Sequence, residues 1–144
     1  MEPESKVTLK PKAKVVQTAD SDGNPNGYLM ELKKDHKGRT ATYLTVAAPG
    51  CFKGYHLHLV RAAHYICLRG EICIVTFEPG LRKETVLGPG GKLHIPPNIP
   101  TGLRNDTEEE AWIVNFPMPH YDPALQGEQV EYDEEGAREW AGLD

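Results

Sequence analysis

The chain has 144 residues, a mass of 16.0 kDa and a formal net charge of -5. That is the size of one domain able to bury a core without staples. The acidic balance excludes a global electrostatic footprint for nucleic acid, and no apolar run is long enough to span a membrane.

Glycine (14) and proline (12) are plentiful, which favours many short strands joined by turns. Cys51, Cys67 and Cys73 are odd in number, and the last two sit in apolar, strand-like runs. That pattern predicts reduced thiols in a cytoplasm rather than a disulfide framework. The first residues, Met1-Glu2-Pro3-Glu4, are acidic and do not read as a signal peptide.

Residues 1–14 are polar and read as an arm. Val15-Val16 starts the ordered chain, and Asp20 to Gly27 is a turn cluster. Strands are predicted at Gly27–Leu32 and at Thr40–Val46, the latter rich in β-branched and aromatic residues. Asp35-His36-Lys37-Gly38 is the turn between them. Ala48-Pro49-Gly50 breaks the second strand, and Gly54–His58 follows as the next. Further strands are expected at His64–Leu68, Ile72–Phe77, Lys83–Leu87, Leu93–Ile95 and Ala111–Phe116. The recurring turns fit an all-β sandwich or barrel over residues 15–123. Residues 124–144 read as an acidic tail, in which Asp133-Glu134-Glu135 caps a short helix that Trp140 docks.

The chemistry concentrates in Gly54-Tyr55-His56-Leu57-His58. Residues two apart on a strand share a face, so both imidazoles point the same way. Histidine titrates nearest neutrality. The pair is therefore a metal site, an acid/base site, or two satisfied core residues.

The order of short strands, the Gly-x-His-x-His strand, a strand ending at Gly70, a glycine turn, Ile95-Pro96-Pro97 and a strand leading to Tyr121-Asp122-Pro123 resembles the cupin superfamily. Within it, residues 28–122 look most like the nucleotide-sugar branch. That branch holds the dTDP-4-dehydrorhamnose 3,5-epimerases and the dTDP-4-keto-6-deoxyhexose 3,4-ketoisomerases. The resemblance implies a cupin-type jelly-roll barrel with a short C-terminal helix, acting as a homodimer on a nucleotide sugar. It places His56 on the epimerase catalytic base, Lys53 on an arginine that contacts substrate, and Tyr43 on an active-site tyrosine of the ketoisomerases. The catalytic residues expected are thus His56, His58 and Tyr43. The substrate contacts expected are Lys53, Tyr65, Arg104 and Tyr121.

Metal-binding cupins add a glutamate and a third histidine, but those positions are Ala63 and Thr101-Gly102 here. Two ligands make a poor cage, so neither a metal nor another cofactor is expected. The epimerase general-acid tyrosine falls on Asn115, which favours the ketoisomerase pattern, and the aspartate that orients the epimerase base has no clear equivalent. His64 and His94 read as structural, His36 and His120 as loop residues, and Trp112 as core. The function expected is isomerisation or epimerisation of a nucleotide-linked 4-keto-6-deoxy sugar, in deoxysugar or polysaccharide biosynthesis. Its rivals are a cupin that only binds a sugar or small ligand, and a metal-dependent cupin enzyme.

Overall fold

The computed structural model describes residues 5, 6, 9, 12–34, 37–122, 124, 125 and 127–143. His36, Pro123 and much of the 1–14 arm lie outside the described residues. Among the described residues, eleven strands and one helix follow in order: β1 (Val15–Ala19), β2 (Pro25–Lys34), β3 (Thr40–Ala47), β4 (Phe52–His58), β5 (Ala63–Arg69), β6 (Ile72–Glu78), β7 (Leu81–Leu87), β8 (Lys92–Ile95), β9 (Thr101–Arg104), β10 (Ala111–Asn115), β11 (Gln129–Glu131) and α1 (Glu134–Trp140). They form a six-stranded sheet, β1-β2-β3-β10-β5-β8, and a five-stranded sheet, β11-β4-β9-β6-β7. Every strand pair is antiparallel.

The two sheets close on a shared apolar interior that includes Cys67, Ile72, Ile74, Leu103 and Ile113. β6 is buried along nearly its whole length, which explains its unbroken run Ile72–Phe77. Ile72 and Ile74 face this interior, while Cys73, Val75 and Phe77 face outward beneath α1. Asp133 caps that helix by accepting a hydrogen bond from Gly136 N at 2.7 Å. Ala137 and Trp140 then pack against Tyr55 and Phe77.

The six-stranded sheet carries a second apolar layer on its outer face. Leu44, Val46 and Val114 lie there under Tyr28, Met30 and Trp112. Trp112 thus packs on the outer face, not between the sheets.

Three strands had no counterpart in the expected set: β1, which extends the Val15-Val16 start, β9 and β11. β9 follows a proline-rich lead, and β11 lies in the acidic stretch read as a tail. β11 pairs with β4, so residues 129–140 are an edge strand and a covering helix of the barrel. All three cysteines are free. Among the described residues, no helix is long and apolar enough to cross a membrane.

Candidate functional site

A cavity of about 1100 Å³ opens between the sheets, and His56, His58, Tyr43, Lys53 and Tyr65 all line it. Small-ligand pockets span roughly 300–1000 Å³, so this one suits a large ligand.

β4 delivers three of these side chains. His56 and His58 alternate with Tyr55 and Leu57, which are buried on the other face. Lys53 is an odd number of residues from His56, yet it lines the same cavity. The pairing of β4 with β9 shifts register between Lys53 and His56, which brings it round. Gly54 sits at this shift with φ +125°, and a Cβ there would lie 2.8 Å from Thr101 O and 2.9 Å from Gly102 Cα. Only glycine fits that approach.

His58 belongs to a buried polar cluster. Arg61 is 5% exposed and the Glu128 side chain 4% exposed. Glu128 Oε1 accepts from Val60 N at 3.2 Å and from Arg61 N at 2.9 Å. Its Oε2 accepts from Arg61 Nε at 3.2 Å and Arg61 Nη2 at 3.1 Å. His58 Nδ1 lies 3.2 Å from the same Oε2 and 3.0 Å from Arg61 Nη2. Burial works to raise the Glu128 carboxyl, but the donors from Arg61, His58 and Val60 prevail and hold it at about 2. The carboxylate is therefore ionised at neutral pH and accepts only. His58 Nδ1 thus meets both an acceptor, Glu128 Oε2, and a donor, Arg61 Nη2: it donates to the carboxylate when Nδ1 carries the proton and accepts from the guanidinium when Nε2 does. Burial and the Arg61 charge outweigh Glu128 and lower the His58 pKa, so the ring is neutral at pH 7.

His56 is lowered as well, by burial first and by Lys53, against the pull of Glu131. Its Nδ1 lies 3.2 Å from Gln129 Nε2 and 3.6 Å from Glu131 Oε1. Both partners stand on β11, directly across from β4.

Tyr43 accepts a hydrogen bond from Asn115 Nδ2 at 2.7 Å. Burial raises its hydroxyl pKa, against the Arg61 charge and the Asn115 bond, so the phenol keeps its proton at neutral pH. Tyr65 is raised by burial too. Lys53 donates to Thr18 Oγ1 at 2.7 Å, and burial lowers its ammonium to about 8. Tyr121 lines a smaller cavity of about 230 Å³ that shares Tyr43 and Gln129 with the first. The Arg61 guanidinium lies 4.9 Å from the Tyr121 ring centroid.

Arg104, expected at the pocket mouth, does not join this group. Thr101 and Leu103 line the cavity, so strand alternation turns Arg104 to the opposite face of β9. There it pairs with Glu84 at 2.7 Å and with Asp106 at 2.8 Å. His64, read as structural, stacks on His94 at 4.6 Å, and neither lines the cavity.

Arg61, Glu128, Gln129, Glu131 and Asn115 are the site residues that sequence reasoning missed or undervalued. The alternation of Gln129-Val130-Glu131-Tyr132 was the available signal for β11.

The donor set does not fit a cupin metal. His56 and His58 provide two nitrogens, while Ala63 and Thr101 line the cavity without a ligand atom of the usual kind. Among the described residues, no group of three or more His, Cys, Asp or Glu is arranged to hold a metal ion.

No family model matches the chain, and no curated protein matches it by sequence. Solved structures do match. CapF, a capsular polysaccharide assembling protein from Staphylococcus aureus, superposes with a TM-score of 0.66 at 16% identity over 81% of this chain. The predicted oxalate decarboxylase of Thermotoga maritima gives 0.60 at 15% identity, over 74% of this chain and 90% of its own. The fold is that of the cupins. The Drosophila melanogaster CENP-C cupin domain matches as well, with a TM-score of 0.61 at 14% identity over 73% of this chain and 70% of its own. This chain spans 31% of the CapF chain. Cupins with such different descriptions share the jelly roll, so the fold does not choose the function.

Proposed function

We propose that this cupin moves protons at carbon next to a ketone, acting as an isomerase or epimerase on a nucleotide-linked 4-keto-6-deoxy sugar. The observation that carries the reading is a pair of imidazoles held neutral on one strand, His56 and His58, facing a protonated phenol, Tyr43, in one large cavity.

A C–H beside a ketone is acidic because the negative charge left behind spreads onto the carbonyl oxygen. A neutral imidazole takes that proton, and a hydrogen-bond donor at the oxygen stabilises the enolate. The hydrogen bonding supports a division of these roles. Family position places the base at His56, but His58 holds the carboxylate partner. That carboxylate, 3.2 Å from Nδ1, is placed to stabilise the imidazolium that forms. His58 then accepts the carbon proton, His56 returns one, and Tyr43 donates to the oxygen. Return to the opposite face of the same carbon gives an epimer. Loss of the C3 hydroxyl proton with delivery at C4 gives the 3-keto isomer. Lys53, at the cavity wall, is placed to meet an anionic diphosphate.

The description of CapF as a capsular polysaccharide assembling protein agrees with a role in making deoxysugars for a polysaccharide. A cytoplasmic setting and a homodimer complete the reading. The homodimer draws support from β1, an edge strand on which Val15 and Val16 are exposed.

Proton NMR with dTDP-4-keto-6-deoxyglucose in deuterated water tests the proposal. The protein is expected to exchange the C3 proton or form a 3-keto product, and His56→Ala and His58→Ala to lose this. Ligand line-broadening without exchange would leave a cupin that only binds. Neither exchange nor broadening would reject the nucleotide-sugar reading.

A further inference from the structure

Asn115 stands where the epimerase resemblance puts a general-acid tyrosine, and it is 4% exposed. It lies on β10 directly opposite Tyr43 on β3 and Tyr65 on β5. Its amide can be oriented in only one way. The backbone N–H of His64 can only donate, and it lies 3.0 Å from Asn115 Oδ1. The amide nitrogen must therefore be the atom 2.7 Å from the Tyr43 oxygen. An amide N–H also only donates, so that oxygen accepts. The Arg61 charge also acts on this hydroxyl, working to lower its pKa. A phenol carries one proton and two acceptor lone pairs. The Asn115 amide occupies an acceptor position of Tyr43, and the hydroxyl proton is left to point elsewhere.

We propose that Asn115 is a positioning residue that makes Tyr43 an obligate hydrogen-bond donor into the cavity, so that the site selects a ligand with a ketone-like acceptor oxygen over one with an ammonium group at the same place. Asn115 thus acts through Tyr43, and the missing epimerase tyrosine is replaced by a device that aims another one. The ligand half of this statement rests on the proposed carbon-acid chemistry. The Tyr43 half does not.

The test reads the phenol directly. The protein is labelled with 3-fluorotyrosine, whose phenol is more acidic than that of tyrosine, and titrated by fluorine NMR. The Tyr43 signal is assigned by its loss in Tyr43→Phe. The charged and titratable groups around it, Arg61, Glu128 and Tyr65, are unchanged in the variants compared. In Asn115→Asp the new carboxylate accepts from the phenol where the amide had donated. The Tyr43 titration should move up by about one pH unit or more. Asn115→Leu, which removes the donor without adding charge, should move it up by less and keeps the test open if the aspartate variant does not fold. Asn115→Asp should also weaken binding of dTDP-4-keto-6-deoxyglucose by at least about tenfold. An unmoved Tyr43 titration overturns the proposal. A moved titration in a protein whose wild type ignores the keto sugar upholds the donor assignment and rejects the nucleotide-sugar reading instead.

Discussion

Replacing Glu128 by glutamine changes one atom of the buried cluster. Oε1, which serves the backbone N–H groups of Val60 and Arg61, is kept. Oε2, which serves the Arg61 side chain and His58, becomes an amide nitrogen. The Arg61 charge is then buried beside a donor, with its anion gone. Removing one member of a buried ion pair costs about 3–5 kcal/mol, so Glu128→Gln should lose that much stability at pH 7. Arg61→Met strands the carboxylate and should cost a similar amount. Together they remove both charges and keep the backbone acceptor, and the double variant should return to within roughly 1 kcal/mol of wild type. Urea unfolding of the four proteins measures the cycle, provided the slope with denaturant is constant. The gap between wild type and Glu128→Gln also has a pH signature. The folded carboxyl is held at about 2, below its ordinary 4.5. Its contribution is therefore complete above about 4.5 and fades as pH falls toward 2. A Glu128→Gln cost below about 1 kcal/mol, or a double variant whose cost equals the sum of the single ones, would refute the reasoning.

Lys53 gives a pH slope of the same sign, but in an alkaline window. Its folded ammonium sits near 8 against an ordinary 10.5, so below pH 8 the fold carries a buried charge that is relieved as pH rises. Lys53→Met should be more stable than wild type at pH 7, with the advantage disappearing by about pH 10.5; binding of an anionic nucleotide should weaken as pH rises through about 8. Gly54→Ala should cost several kcal/mol, on the order of 3 or more, because φ is positive and backbone atoms block the new methyl. Thermal melts show it, and a fold as stable as wild type would mean that β4 had rearranged. Trp140→Ala should cost roughly 1–3 kcal/mol by uncovering Tyr55 and Phe77, read from urea unfolding.

Strand parity made much of the site legible. His56 and His58 could be placed on one face because the period of a strand is two, and that inference survives any small error in its ends. Turn chemistry marked most strands for the same local reason, and the acidic start of α1 marked the helix. What escaped depends on partners distant in sequence. Arg61 reads as surface charge until Glu128, 67 residues later, is brought against it. The β11 stretch looks like solvated tail because its pattern is short and its pairing partner is β4. Arg104 was misplaced because β9 is only four residues long and follows prolines, so its facing could not be counted from a recognised strand. Asn115 looked like a loss because a residue type was compared rather than the hydrogen bonds at its position.

The late position of Glu128 has a consequence for biosynthesis. A nascent chain that has emerged only through β10 has both imidazoles, the phenol and Arg61, but not the carboxylate that pairs with the guanidinium and lies beside His58. Synthesis of residues 128–140 supplies the counter-charge, the strand that flanks β4, and the helix that seals its sheet. The polar wall of the cavity is therefore the last part of the fold to be completed, when this segment pairs with β4.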